Sequence, residues 1–303
     1  MPSRVIVPAI GFVLASTPGF AQNPAFSAER MAETEITLEQ VGDGLYVFFG
    51  IGGNIAVSIG EQGVLIVDDQ FPEMAPKYRA RIGELGGGDI DFAINTHWHY
   101  DHADGNKLLG PEGTWLVSQA NSREMMTTDN VINTVVRAPY NQPAYETDAL
   151  PIFAFEDRMQ MHFNGERIDL IHTGPAHTTG DAAVIFREHN AVHMGDVYNN
   201  AGYPFIDADN GGDIDGMIEF CAAVVEELEP GATVIPGHGP VATRADLEAY
   251  VTMLTAIRER IAELVEQGAT LEQVVAARPT AEWDDEYGDP TRMVDRAYAS
   301  LTR

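Results

Sequence analysis

The chain has 303 residues, of which 46 are Asp or Glu and 18 are Lys or Arg, so its formal net charge at pH 7 is −28. Proteins that bind a nucleic-acid backbone or an acidic membrane surface need basic residues on the contacting face, so this charge argues against both partners. Cys221 is the single cysteine of the sequence, which excludes an internal disulfide and a cysteine-rich zinc site.

The first 21 residues differ from the rest of the chain. A single charge, Arg4, precedes the apolar run Val5–Ala15, and small residues follow at Gly19 and Ala21. The run is short for a membrane span, and its flanks are typical of a cleaved secretory signal. The alternative, an N-terminal core or interfacial helix, is disfavoured by a proline and a glycine inside the run. We therefore predict a signal peptide over 1–21 and a periplasmic or secreted protein that is not held in the membrane.

The next part of the chain alternates short apolar runs with glycine-centred turns. After a polar segment over 22–35 we place one domain at 36–303, with helices at its C-terminal end. Its clearest local signal is a β-hairpin in which Ile55–Ile59 and Val64–Val67 flank Gly60-Glu-Gln-Gly63. The other elements predicted in this part are strands within Ile36–Phe49, a helix over Met74–Leu85, strands at Phe92–Asn95 and Trp115–Val117, and a short helix that ends near Met126.

A polar segment without a clear period, Thr127–Leu150, separates these elements from the second half, and we predict a mobile or substrate-facing loop there. Asp213 is placed to cap a helix that runs to Leu228 and carries Cys221 on its apolar face, and Thr243 opens an amphipathic helix that ends near Gly268. The predicted strands are Ile152–Phe155, Met159–Phe163, Ile168–His172, Ala183–Phe186, Ala191–Met194 and, as the last strand, Thr233–Ile235. This order predicts an α/β fold of two mixed sheets packed face to face with helices outside.

Residues with metal-binding chemistry are concentrated directly after the strand Phe92–Asn95, in His97-Trp-His-Tyr-Asp-His102. In an extended segment, side chains two residues apart point the same way, so His97 and His99 can share one ion. Asp101 and His102 follow in the turn and can face a second ion. Zinc accepts neutral imidazole nitrogen and carboxylate oxygen as ligands. Further candidates stand in turns after later strands, at His177, Asp196 and His238.

The ordered set, together with His97-Trp-His-Tyr-Asp-His-Ala-Asp-Gly-Asn106, resembles that of the metallo-β-lactamase-fold hydrolase superfamily over nearly the whole chain after the signal. The resemblance implies an αββα four-layer sandwich with two Zn²⁺ ions per chain, with iron or manganese as alternatives. It implies these roles: His97, His99 and His177 bind the first ion, Asp101, His102 and His238 bind the second, Asp196 bridges both, Asp68 supports the ligands, and Asp101 orients the nucleophile or shuttles a proton.

The resemblance further implies a hydrolase in which metal-activated water attacks a carbonyl carbon. The best-known metallo-β-lactamase subclass has Cys at the position of Asp196 and lacks a histidine at that of His102, so the ligand set is more similar to that of glyoxalase II. Against glyoxalase II stand the predicted signal peptide, the acidic surface and the lack of a basic cluster in the C-terminal region.

We therefore predict opening of β-lactam rings in a small-molecule substrate. The alternative is a thioesterase or lactonase. A non-catalytic metal-binding protein is a more remote alternative. Asn199 stands where the Cys-ligand subclass often has a lysine that binds the substrate carboxylate. The residues predicted to contact substrate are Trp98, Tyr100, Tyr198 and Asn199.

Overall fold

In the computed structural model, which describes residues 26–303, the chain forms two large mixed sheets and a separate two-stranded ribbon. The predicted signal peptide lies outside the described residues. The strands are β1 (Thr37–Gly42), β2 (Leu45–Phe49), β3 (Ile55–Gly60), β4 (Gly63–Val67), β5 (Ile90–Asn95), β6 (Trp115–Gln119), β7 (Asn130–Ile132), β8 (Tyr140–Gln142), β9 (Phe153–Phe155), β10 (Arg158–Phe163), β11 (Glu166–Ile171), β12 (Ala183–Phe186), β13 (Ala191–His193), β14 (Thr233–Ile235) and β15 (Ala242–Thr243).

The helices lie mostly in the connections between strands and at the C-terminal end. They are α1 (Ala28–Glu33), α2 (Ala75–Glu84), α3 (Tyr100–Ala103), α4 (Asn106–Glu112), α5 (Ala120–Met126), α6 (Ile214–Glu227), α7 (Arg244–Glu266), α8 (Leu271–Ala277), α9 (Asp284–Tyr287) and α10 (Thr291–Leu301). Within residues 26–303, none of these helices is long and apolar enough to cross a membrane.

The strand order places the ends of several strands at one edge of each sheet. The first sheet has the order β1-β2-β3-β4-β5-β6-β9, and its strands from β4 to β9 run parallel. The second sheet has the order β10-β11-β12-β13-β14-β15, with β13 parallel to β14. The predicted hairpin is confirmed as β3 and β4, which pair in antiparallel fashion. A Cβ at Gly63 in its turn would overlap the Asp91 carboxylate, and its φ is +130°, so glycine is required there.

Side-chain alternation in the strands builds the layers. Leu65 and Val67 of β4 belong to the core between the two sheets, whereas Val64 and Ile66 belong to the core beneath α2. The outer face of the second sheet is covered by α6 and α7, whose buried residues include Phe220. The order helix, sheet, sheet, helix confirms the predicted αββα sandwich. Cys221 is buried in α6, as predicted for a core residue.

Most predicted elements are present with boundaries that differ by one or two residues, and two differences matter. Thr127–Leu150 is not irregular throughout, because β7 and β8 pair within it. Thr233–Ile235 is not the last strand, since β15 pairs with β14 and directly precedes α7. The C-terminal helices were predicted without bounds and are α8–α10, and Met293 and Ala297 of α10 are buried in the core around α6 and α7.

Candidate metal centre

The loop after β5 and the turn after β4 meet at one edge of the first sheet, because these two strands are parallel. Asp68 follows β4 directly and has a φ of +64°, which turns its side chain toward the loop after β5. Its Oδ1 accepts a hydrogen bond from the Thr96 backbone N–H at 2.7 Å, and its Oδ2 accepts one from Thr96 Oγ1 at 2.9 Å. These bonds fix the start of the segment that carries His97 and His99.

Three histidines form the first cluster of candidate ligands. The ligand atoms of His97, His99 and His177 all lie within 4.8 Å of one another, and the three side chains are buried. His99 Nε2 donates to Asp207 Oδ2 at 2.9 Å, and His177 Nδ1 donates to the Phe205 carbonyl at 2.7 Å. The remaining nitrogens, His99 Nδ1 and His177 Nε2, therefore both carry lone pairs and face each other at 2.9 Å. A cation between them would remove this repulsion.

His97 completes the first cluster. Thr96 Oγ1 already donates to Asp68, so at 3.1 Å it accepts a hydrogen bond from His97 Nδ1. His97 Nε2 is then a lone-pair nitrogen, and it is buried without a hydrogen-bond partner among the described residues. An unsatisfied buried polar atom costs about 1–3 kcal/mol. Three converging lone pairs in one buried pocket are the donor set that a divalent metal ion takes, so the residues fit the metal that the sequence predicts.

The second cluster consists of Asp101, His102 and His238, whose ligand atoms also lie within 4.8 Å of one another. His102 Nε2 and His238 Nε2 are 3.1 Å apart. The other ring nitrogen of His102 donates to Asp68 Oδ2 at 2.7 Å, which places Asp68 directly behind this candidate ligand. A Cβ at Gly53 would overlap the His102 ring, so only glycine fits at this position.

Asp196 reaches both clusters with one carboxylate. Its Oδ1 lies 3.2 Å from His102 Nε2 and 3.4 Å from His238 Nε2, and its Oδ2 lies 3.7 Å from His177 Nε2. Asp196 is placed by the 3₁₀ turn Gly195–Val197, which follows β13. Its position between the two clusters is the one that a bridging ligand requires.

The two clusters differ in their protonation without metal. Burial and the neighbouring rings lower the pKa of His97 and His177, which favours the neutral form of these two rings of the first cluster. Burial acts in the same sense on His102, but the Asp196 and Asp68 carboxylates outweigh it and raise the pKa of His102 well above its ordinary value. Burial raises the pKa of Asp196, but His238 and His102 outweigh it and hold that pKa well below its ordinary value. A metal in the second cluster would displace protons, and one in the first would not.

A cavity of about 300 Å³ opens onto both clusters. Of the four predicted substrate contacts, Tyr100 and Asn199 line it. The prediction that Trp98 contacts substrate is wrong: Trp98 is fully buried, because the extended segment that points His97 and His99 toward the cavity points the residue between them into the core. Tyr198 is also buried, and its ring packs edge-on against that of Tyr250 at 4.9 Å.

Several functional candidates were not found from the sequence. Asp207 holds His99, but it stands in the acidic stretch Asp207-Ala-Asp-Asn210, which resembles any polar turn. Arg292 of α10 and Arg137 both line the cavity, although no basic cluster is visible in the C-terminal sequence. The segment Thr127–Leu150 does face the cavity, through these six of its residues: Ile132, Thr134, Val136, Arg137, Ala138 and Tyr140.

Comparisons with known proteins agree with this site. The family model of the metallo-beta-lactamase superfamily matches residues 53–238, which is more than half of the chain and includes every candidate ligand. A probable metallo-hydrolase of Methanocaldococcus jannaschii is 24% identical over 204 residues, covering 65% of this chain and 92% of that protein.

Two solved structures show the same fold. A metallo-beta-lactamase from Pontibacter korlensis superimposes with a TM-score of 0.59 at 12% identity, covering 73% of this chain and 99% of the other. A stereoselective inverting sec-alkylsulfatase from a Pseudomonas species superimposes with a TM-score of 0.68 at 16% identity, covering 87% of this chain and 50% of the other, so this chain spans about half of that enzyme. At these identities the likeness concerns the fold alone.

Proposed function

Because this chain belongs to the metallo-beta-lactamase superfamily and is a hydrolase of that type, we propose that it opens β-lactam rings at a centre of two Zn²⁺ ions. The observation that carries the proposal is the position of Asp196, whose two carboxylate oxygens face the histidines of separate clusters. A single ion would need only one of these clusters. Two adjacent ligand sets joined by one carboxylate support a two-metal hydrolase.

Each residue has a defined task in this proposal. His97, His99 and His177 hold the first ion, Asp101, His102 and His238 hold the second, and Asp196 binds both. Bound divalent ions would lower the pKa of a water molecule and polarise a carbonyl oxygen. Asp101 lines the cavity, and its Oδ2 lies 3.4 Å from His238 Nε2, so its carboxylate is placed to orient the attacking water or to carry its proton to the leaving group.

The cavity supports a small acyl substrate. Its volume of about 300 Å³ suits a ligand the size of a bicyclic lactam, and its wall includes the aromatic rings of Tyr100, Tyr140 and Phe205. A strained four-membered amide needs less activation than an ordinary amide, which supports a β-lactam as the substrate of this site. We further propose that the substrate is a small molecule and not a nucleic acid, in agreement with the net charge of −28.

The alternative is a thioesterase or lactonase that uses the same residues. It is favoured by the presence of both His102 and the Asp196 carboxylate beside the second cluster, the combination that made the ligand set similar to that of glyoxalase II. β-Lactams, thioesters and lactones all expose a carbonyl carbon to the same water. Only the group that leaves this carbon distinguishes the proposed function from the alternative.

A panel of β-lactams, thioesters and lactones tests the proposal on protein loaded with Zn²⁺. We expect two zinc ions per chain, hydrolysis of a chromogenic cephalosporin that exceeds hydrolysis of thioesters, and loss of activity on chelation with recovery on zinc addition. His97→Ala and Asp196→Ala should each abolish hydrolysis. His162→Ala is the matched control, because this exposed histidine lies on the outside of the second sheet, where its Nε2 is hydrogen-bonded to Gln160. Faster turnover of thioesters would favour the alternative, and unchanged activity of Asp196→Ala would overturn the proposed centre.

We also propose that the chain is exported, on the strength of the sequence pattern in residues 1–21. Expression in a Gram-negative host followed by fractionation and N-terminal sequencing tests this. The expected result is a periplasmic or secreted product that begins near Gln22, and a full-length cytoplasmic product would contradict it.

A further inference from the structure

An arginine from the C-terminal helix α10 stands in the wall of the cavity, outside the region matched by the family model. Arg292 lines the cavity together with Asp196 and His238. Its Nη2 donates to the Tyr203 carbonyl at 3.1 Å, and its guanidinium lies 5.6 Å from the centre of the Phe205 ring. A guanidinium has five N–H donors, so this one hydrogen bond leaves donors for a ligand.

Arg292 differs from most arginines of this acidic protein in its partners. One turn later on α10, Arg296 binds Asp209 at 2.8 Å and Asp295 at 2.6 Å. Among residues 26–303, Arg292 has no carboxylate within 4.0 Å, although the chain carries 46 acidic residues. A partly desolvated cation is costly unless an anion approaches it, so this position favours a negatively charged ligand.

A second positive charge acts on the same cavity. Arg137 also lines it, from the segment between β7 and β8. Burial and the charge of Arg137 lower the pKa of Arg292. The carboxylates of Asp196 and Asp101 raise it, but the net shift is downward. Asp196 and Asp101 are the carboxylates that the proposed function assigns to the metal ions. Two guanidinium groups therefore stand in the wall of the cavity, where an anionic ligand could accept charge-assisted hydrogen bonds.

We propose that Arg292 binds an acidic group of the substrate, so that this hydrolase acts preferentially on anionic carbonyl compounds. The inference rests on the proposed hydrolysis of a carbonyl at the metal centre, and it adds the charge of the substrate and the residue that recognises it. A purely structural role, in which Arg292 only ties α10 to Tyr203 and Phe205, is the competing explanation.

A pair of esters that differ only in charge separates these explanations. 4-Nitrophenyl hydrogen suberate and 4-nitrophenyl octanoate have the same chain length, and the carboxylate of the first lies too far from its ester for self-catalysis. We expect Arg292→Met to lower kcat/KM for the suberate about 10–100-fold, chiefly through KM, because a hydrogen bond to a charged group is lost. Hydrolysis of the octanoate should change by less than about twofold, and Arg292→Lys should retain part of the preference.

Arg260 provides the control. It lies 4.9 Å from the Trp283 ring and donates to the Pro279 carbonyl at 2.9 Å, as Arg292 does with Phe205 and Tyr203, but it also binds Glu282 at 2.8 Å and lies outside the cavity lining. Arg260→Met should therefore leave the suberate-to-octanoate ratio unchanged. If Arg292→Met lowered kcat/KM equally for both esters, Arg292 would have a structural role. If Arg292→Met left kcat/KM unchanged for both esters, the acid would not be bound there. Either result would overturn the inference.

A binding measurement covers the case in which neither ester is turned over. Methyl hydrogen suberate should raise the Tm of the zinc-loaded wild type more than dimethyl suberate does, and Arg292→Met should remove that difference. If β-lactams are not hydrolysed but the acid preference still depends on Arg292, the proposed β-lactam substrate fails and this inference stands. If β-lactams are hydrolysed equally well by Arg292→Met, this inference fails and the proposed function stands.

Discussion

The Asp68 carboxylate and the His102 imidazole are both fully buried and are joined by a hydrogen bond of 2.7 Å between Oδ2 and Nδ1. The same carboxylate binds the backbone and the hydroxyl of Thr96, so a single side chain orients the start of the histidine loop and a ring at its end. Such partners fix the tautomer of a metal ligand and raise its basicity.

Asp68→Asn preserves the size of this side chain and removes its charge. We expect the affinity of the second cluster for Zn²⁺ to fall about 10–100-fold, with the first cluster less affected. Competition with a chromophoric chelator measures both steps. Asp91→Asn is the control, because Asp91 accepts a hydrogen bond from the Val64 N–H at 2.9 Å, away from the metal centre. Equal affinities in Asp68→Asn and wild type would contradict a supporting role for Asp68.

Asp207→Ala tests the corresponding partner of the first cluster. Without the acceptor at 2.9 Å, His99 is free to carry its proton on Nδ1, the nitrogen that faces His177. We expect the tighter of the two zinc-binding steps to weaken about 10–100-fold. If only the weaker zinc-binding step were lost, the first cluster would be the weaker zinc site and not the tighter one. Asp209→Ala, on the same stretch, keeps the Asp207 contact and serves as the control.

The candidate ligands could be proposed from the sequence because each lies in the connection that follows a strand, and these strands are recognisable from local patterns. His97 and His99 share a side of one extended segment, and Asp101 and His102 follow in α3. The remaining candidates stand in the connections after β11, β13 and β14, at His177, Asp196 and His238. The same alternation would have placed Trp98 in the core. Asp207 and Arg292 could not be predicted in this way, since their contacts join residues 108 and 89 positions apart along the chain. Those contacts depend on how the loops and α10 pack on the finished sheets.

The sandwich itself follows from patterns that the sequence displays, such as the alternation in β4 and the turn at Gly60–Gly63. The short elements were missed for a physical reason. Strands such as β7 and β8 have three residues each, too few to show a period, and they are held by one another across the cavity mouth. α10 has a clear apolar stripe, but its burial depends on a core formed by α6 and α7.

The metal-free protein should lose stability as the pH rises above neutrality. Burial opposes the charge of His238, but Asp196 and Asp101 outweigh it and raise its pKa to about 9. A histidine in an unfolded chain titrates near 6.5, so this stabilisation is complete below about pH 6.5 and is lost as the pH rises through about 9. We expect the Tm of chelator-treated protein to fall between about pH 6.5 and 9.5, with a smaller slope in His238→Gln. A slope that is unaffected by His238→Gln would assign the loss to other groups.

The net charge of −28 predicts an unusual dependence on salt for acidic substrates. The protein's overall field repels an anion at long range, whereas Arg292 and Arg137 attract it only within the cavity. The Debye length falls from about 30 Å at 0.01 M to about 8 Å at 0.15 M, which screens the long-range repulsion more than the contact in the cavity. We therefore expect kcat/KM for 4-nitrophenyl hydrogen suberate to rise severalfold over this range, through faster association, while the value for 4-nitrophenyl octanoate stays constant. A decrease for the suberate would instead mean that the arginines' field extends beyond the cavity and dominates the approach of the substrate.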